Sequence, residues 1–543
     1  MAEPQDRSGA EPGRGDQASA AAGGAEAVSA GPAAGGTFLP PRQVMIILPG
    51  LLMAILLAML DNLIVSTALP RIVGDLGGVA HLSWVVTAYI LASTITTPFY
   101  GKLGDMYGRK SFFIAAIVIF LAGSALSGLS QTMAELIAFR AIQGLGAGGL
   151  MVGAMASLGD IVAPRERGKY MSYMMVVMML ATIGGPLLGG FITTSFSWRW
   201  IFYINIPLGG AALIYLLAVL HVPAHKVSHK VDYLGGTLLG VAATALILLA
   251  TWGGTQYAWG SMMIIGLALV AVASAAGFLY VERRAAEPML PLHVFRNRNF
   301  SLAMAMTFLT GLAMFGAMTF LPLFQQTVQG RSPTVSGLML TPMMLGVTVT
   351  SIVAGQVTTK TGRYKAFPII GGAIMTAGLY LLTGLGIGTS LLTSALFYVV
   401  LGLGMGFLMQ MVSLIGQNSV EQRDMGVASS ARMFFQQIGG SLGVAAFGAL
   451  FARQLTSSLA SASGGVHISA SGGQLDPATV NSLPAPVRHD VFVAISQAVE
   501  HVFIWAVPAA VIIFVLAWFI SEVPLRGRAP AAEAASQQPE LVS

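Results

Sequence analysis

GKLGDMYGRK, residues 101–110, lies between two long apolar stretches and packs three glycines, one acid and three bases into ten positions. Charge this dense is rare elsewhere in the sequence. The 543 residues are 55% hydrophobic and 9% charged, where a soluble protein carries roughly 25% charged residues. So few charges cannot cover a water-facing surface. The composition predicts an all-α polytopic membrane protein, and 101–110 is then a loop where the chain leaves the bilayer.

A spanning helix needs about 20 apolar residues. Outward from 101–110, fourteen stretches qualify: 44–68, 82–101, 111–130, 133–157, 170–193, 200–220, 233–251, 261–281, 300–325, 335–357, 367–387, 391–415, 426–452 and 497–521. An even number of spans puts both ends on one side, and that side receives 22 of the 28 Lys and Arg. Arg71, Arg199, Arg331, Arg453 and Arg488 fall on the other side, and Arg140 lies inside a span. Bases favour cytoplasmic loops. The expected location is therefore the plasma (inner) membrane, multi-pass, with both termini cytoplasmic. Residues 1–41 and 523–543 read as disordered cytoplasmic tails without the apolar core of a signal peptide. Residues 453–490, rich in Ser, Gly and Ala, read as a mobile outer connector, with substrate gating or a partner contact as the alternative.

Several chemistries lack their residues. The chain has no cysteine, so thiol and iron–sulfur chemistry have no ligands. It has no GxxxxGK[ST], which leaves ATP without a phosphate cradle. Paired catalytic carboxylates, a nucleophile elbow and a metal cluster are all missing from the pattern, so no enzyme, metal or cofactor is expected. HVPAHKVSHK, residues 221–230, reads as a solvated connector. The net charge of +6 is no footprint of nucleic acid.

The opening motif has an echo. In GQVTTKTGRYK, residues 355–365, Gly355, Gly362 and Arg363 match Gly101, Gly108 and Arg109 at an offset of 254. GLGAGG from Gly144 matches GLGMGF from Gly402 at 258, and IGGPLLG from Ile183 matches IGGSLGV from Ile438 at 255. The chain thus divides into a six-helix bundle over 42–222, two inserted helices with linkers over 223–295, and a second six-helix bundle over 296–522. Parallel six-helix halves around a central cavity are one of the transporter architectures.

With LDNLIVSTALPRI in the first span, GKLGDMYGRK after the second, RAIQGLGAGG in the fourth, GGPLLGG in the fifth and WRWIFYINIP entering the sixth, the chain resembles the major facilitator superfamily. It is most similar to the drug:proton antiporter family with fourteen spans, over roughly residues 42–521. The resemblance implies the major facilitator fold, with two six-helix pseudo-repeat bundles plus two extra central helices. It also implies that the 101–110 motif stabilises the outward-facing state, and that GGPLLGG marks antiporters rather than symporters. The family's usual glycine four residues before Gly185 is Ala181 here.

The residues of 101–110 suggest a latch. Gly101, Gly104 and Gly108 let helix ends approach closely. Asp105 can face the positive end of a neighbouring helix, and Arg109 can pair with Asp160 at the inner end of the fourth span. The second copy keeps Gly362 and Arg363 but has Thr359 for the acid and Thr358 for the middle glycine, so it should latch more weakly. A plain basic loop is the alternative, and it leaves Asp105 and the glycine spacing unexplained.

Two charges, Asp61 and Arg140, read as lying inside spans, each about 13 Å below the outer end of its helix at 1.5 Å per residue. Charges at that depth are costly and normally functional. Asp61 is expected to take and release a proton and to attract a cationic substrate when ionised, with Arg140 orienting the site. A structural ion pair is the alternative. The resemblance implies coupling roles at these two positions. Glu135 and Glu500, near outer helix ends, are weaker candidates for a second proton site. In the fifth span, Gly185, Pro186, Gly189 and Gly190 permit a kink and close packing. Trp84, Tyr89, Phe315, Gln325 and Tyr398 are candidate pocket residues, Tyr398 at the repeat position of Arg140. The expected function is proton-coupled efflux of amphipathic, cationic drug-like compounds by alternating access. The alternatives are a dedicated exporter of one antibiotic, natural product or lipid, and a proton symporter for uptake. The expected partners are a small-molecule substrate and the lipid bilayer, with the chain a monomer and no nucleic acid bound.

Overall fold

The computed structural model describes residues 39–76, 82–220, 232–254, 256–285, 288–331, 333–421, 424–462 and 485–525. They are almost entirely helical, with one isolated bridge between Gly253 and Tyr257. The helices are α1 (Pro41–Leu76), α2 (Leu82–Tyr107), α3 (Arg109–Leu129), α4 (Met133–Ile161), α5 (Pro164–Ser195), α6 (Trp200–Tyr203), α7 (Asn205–Val219), α8 (Tyr233–Trp252) and α9 (Met262–Glu282). After a 3-10 turn at Leu292–Arg296 come α10 (Arg298–Thr327), α11 (Pro333–Leu338), α12 (Thr341–Thr361), α13 (Ala366–Leu382), α14 (Leu391–Asn418), α15 (Met425–Ala462) and α16 (Ala485–Trp518).

All fourteen expected stretches are helical. Among the described residues, twelve helical segments are long and apolar enough to cross a membrane. α2 and α13 are not among these twelve. α2 carries Ser93, Thr94 and Thr97 buried within the bundle. α13 has 17 residues, about 26 Å at 1.5 Å per residue, close to the hydrocarbon thickness. The outer connector is shorter than the sequence suggested, because α15 continues to Ala462 and α16 begins at Ala485. Both expected tails up to Phe38 and beyond Leu525, the histidine-bearing linker 221–230, and the middle of the outer loop lie outside the described residues.

Local chemistry sets the boundaries. At the start of α4, Thr132 accepts from the Glu135 backbone N–H at 3.2 Å, while Glu135 Oε2 accepts from the Gln131 N–H at 2.8 Å. This reciprocal cap accounts for Glu135 as a helix-start residue. Gly108 breaks α2 from α3 at φ 100°, a backbone conformation that a side chain would strain.

Polar contacts gather on one face of the bundle. There the Leu39 N–H reaches the Ile161 carbonyl at 3.0 Å, and the Val523 N–H reaches the Tyr364 hydroxyl at 2.8 Å. Arg109 joins the start of α3 to Asp160 at the end of α4. Both ends of the described chain therefore lie on this face, called the latch face below. α8 and α9 pack on each other, and α8 leans on α2 and α15.

Candidate functional site

Four helices bring one polar cluster into the apolar interior. α1 supplies Asp61, α3 Ser124, α4 Arg140 and Gln143, and α7 Asn205. Asp61 and Arg140 are both 0% exposed. Arg140 Nη1 donates to Asp61 Oδ2 at 2.6 Å and to Gln143 Oε1 at 2.8 Å. Asp61 Oδ1 accepts from Gln143 Nε2 at 2.8 Å and from Asn205 Nδ2 at 2.7 Å. Asn205 Nδ2 also reaches Ser124 Oγ at 3.0 Å, and Ser124 donates to the Phe202 carbonyl at 2.9 Å. The guanidinium of Arg140 lies 4.0 Å from the centre of the Tyr89 ring. Removing two ions from water costs several kcal/mol each, and such a pair persists only when further donors fill the remaining lone pairs. Gln143 and Asn205 do this. Neither was visible as a site residue in the sequence, because a lone amide in a helix gives no periodic signal.

Tyr89 is the wall between this cluster and a cavity of about 1760 Å³. Trp84, Tyr89 and Phe315 line it, with residues of both halves and of α8. Twelve of the lining side chains are methionines, among them Met171, Met175 and Met178 of α5. Methionine is flexible and polarizable, which suits a surface that must fit many shapes. Gln325 and Tyr398 are buried away from the cavity lining, and Gln325 Nε2 donates to the Tyr398 hydroxyl at 2.8 Å. Tyr398, at the repeat position of Arg140, thus has a neutral partner where Arg140 has a carboxylate.

Among the described residues, no Asp or Glu lines the cavity, and its charged lining residues are Arg432 and Arg453. Asp61, expected to attract a cation, is buried behind Tyr89 and is not among the lining residues. Arg432 had counted with the bases of the cytoplasmic side. It is placed seven residues into α15, and its position inside the apolar stretch 426–452 was the available signal. Exposed Gln256, Arg453 and Thr456 rim the end of the cavity away from the latch face.

On the latch face the cavity is closed by close helix crossings. A Cβ on Gly101 would lie 2.7 Å from the Gly426 carbonyl oxygen, so α2 can touch α15 only with glycine there. A Cβ on Gly168 would lie 3.0 Å from Gly355, the matching crossing of α5 on α12. Asp105 accepts from the Gly426 and Val427 N–H groups at 3.1 and 3.0 Å, capping the start of α15. Arg109 pairs with Asp105 at 2.7 Å and with Asp160. The second copy is built differently. Gly362 ends α12 at φ 71°, Arg363 is exposed, and Thr359 turns back to the Gly355 carbonyl at 2.8 Å. A carboxylate facing helix N–H groups is worth about 0.3–1 kcal/mol, up to about 2 when partly buried. Asp105→Asn is therefore expected to reduce vesicle transport several-fold while leaving insertion and the gel-filtration profile unchanged.

The remaining candidates are placed as follows. In α5, a Cβ on Gly185 would lie 2.6 Å from Leu63 Cβ, so this glycine brings α5 against α1. Pro186 offers no N–H to the carbonyl of Thr182, yet α5 runs unbroken past it. Gly189 is buried, and a Cβ on Gly190 would meet open space. Gly104 has only Arg109 near its missing Cβ. Glu500 is exposed on α16.

Residues 51–444 match the family model of the Major Facilitator Superfamily. An uncharacterized MFS-type transporter of Mycobacterium tuberculosis is 40% identical over 494 residues, 91% of this chain and 72% of that one. The multidrug transporter protein MdtP of Bacillus subtilis is 39% identical over 399 residues, 74% of each chain. Among solved structures, the proton:xylose symporter XylE superposes with a TM-score of 0.58 at 15% identity, covering 89% of this chain and 98% of that one. That likeness is one of fold. The chain belongs to the Major Facilitator Superfamily: it is a multi-pass membrane transporter of small molecules and not an enzyme.

Proposed function

We propose that the protein is a fourteen-span, proton-coupled exporter of amphipathic drug-like compounds, working by alternating access with both termini cytoplasmic. The observation that carries this reading is the position of the Asp61–Arg140 cluster, sealed behind Tyr89 on the wall of a large methionine-lined cavity. A proton arriving on Asp61 removes the charge that Arg140 faces. The proton weakens the charge-assisted bonds of the three donors on the carboxylate, so protonation loosens the cluster. Tyr89 touches both Arg140 and the cavity and can pass that rearrangement to a bound compound. The multidrug name of the Bacillus relative and the closed latch face support outward export. The latch face corresponds to the side that the bases assign to the cytoplasm. The membrane potential alone supplies about 2.3 kcal/mol per charge at 100 mV.

The test is flux in proteoliposomes under an imposed pH gradient. Asp61→Asn keeps the size and removes the charge. It is expected to lose uphill transport at least tenfold and to make the residual exchange independent of pH. Uphill pumping at the parental rate would remove Asp61 from the coupling scheme. The three donors on Asp61 also favour a purely structural pair. Asp61→Asn strands Arg140 and lowers thermal stability under either reading, and in the structural case it would keep the parental pH profile per folded molecule.

A further inference from the structure

Resting on the cavity as the transport path, we propose that Arg432 forms an anion subsite at its floor, so that the preferred substrates are amphiphiles bearing an oxyanion. Arg432 is 8% exposed and lines the cavity. Among the described residues its one hydrogen bond goes to a neutral group, Nη1 to Gln436 Oε1 at 3.0 Å in the same helix. The buried arginines of the latch and the first-half cluster, Arg109 and Arg140, each face carboxylates. Arg432 is left uncompensated in an apolar site, which is costly unless a counter-charge arrives. A guanidinium fork matches an oxyanion in geometry as well as charge.

The same level of the cavity offers further polar groups. Gln410 and Ser413 also line the cavity, and both Gln410 Oε1 and Ser413 Oγ are buried without a hydrogen bond. Counted from the latch-face ends of α14 and α15, Ser413, Gln410 and Arg432 lie about 8–12 Å deep at 1.5 Å per residue, one level of the floor. Ser413 can donate to an oxyanion beside Arg432, and Gln410 Oε1 can accept from a protonated or hydroxyl edge. Above them the methionines hold an apolar body. Arg453 at the mouth carries the same sign of charge, so an anion meets favourable potential from rim to floor. The repeat position of Arg432 in α5, at the 255 offset, is Val177, so the subsite belongs to one half only.

The test uses purified full-length protein in nanodiscs and two fluorescent probes, 8-anilinonaphthalene-1-sulfonate and ethidium. The parent is expected to bind the sulfonate at least tenfold more tightly than the cation. Arg432→Met should lose at least tenfold in sulfonate affinity and keep or gain ethidium affinity, while Arg432→Lys recovers part of the loss. Thermal unfolding of both variants checks that they fold. A parent that prefers ethidium, or an unchanged affinity ratio in Arg432→Met with folding intact, overturns the subsite. Binding at equilibrium needs no pH gradient. Sulfonate binding without flux in proteoliposomes would therefore count against the cavity as transport path, and ethidium flux with no sulfonate preference would count against Arg432 alone.

Discussion

Arg140→Met is expected to yield little folded protein. Methionine fills much of the arginine volume but leaves Asp61 as a buried charge with two amide donors and no counter-ion. Breaking a buried pair by removing one partner costs about 3–5 kcal/mol, which is a large part of a protein's stability. The measurement is the fraction that stays monodisperse in detergent and its unfolding temperature. Asp61→Asn in the same chain should recover most of the loss, because it removes the stranded charge. A single Arg140→Met variant as stable as the parent would show that the pair carries little of the fold. The double variant should then be stable and unable to couple, separating the stability role of the cluster from its proton role.

Gly101→Val is expected to insert and fold but to lose transport at least tenfold. A Cβ there meets the Gly426 backbone at 2.7 Å, and backbone cannot swing aside as a flexible side chain does. α2 and α15 must separate, and Asp105 then loses the Gly426 and Val427 N–H groups together. The chain has no cysteine, so a single cysteine reports access directly. Placed at Ser441 on the cavity wall, it should react with membrane-impermeant reagent only from the far face in the parent. In Gly101→Val it should become reactive from the latch face. Unchanged one-sided labelling would mean that the glycine crossing does not hold this face shut.

Much of the fold was legible because the bilayer imposes a length and a polarity on every crossing. The latch was legible for a similar reason: Asp105 and Arg109 are charges in a loop whose only economical partners are a helix start and the acid at Asp160. The first-half cluster was half legible. The depths of Asp61 and Arg140 put them on one level, but Gln143 and Asn205 became part of the site only when α4 and α7 faced α1. Rotation about a helix axis is what one sequence conceals. Gln325 and Tyr398 were read as cavity residues and turned out to face each other. Arg432 was grouped with loop bases and lines the cavity, and this reverses the sign of charge expected there.

The Gln325–Tyr398 hydrogen bond has a bearing on how acidity is sensed. An amide and a phenol keep the same charge across the physiological range, so this bundle's core is blind to proton concentration. In the proposed coupling scheme the response lies with Asp61 in the other bundle, which would then be the responsive arm, with this bundle a fixed reference against which it moves.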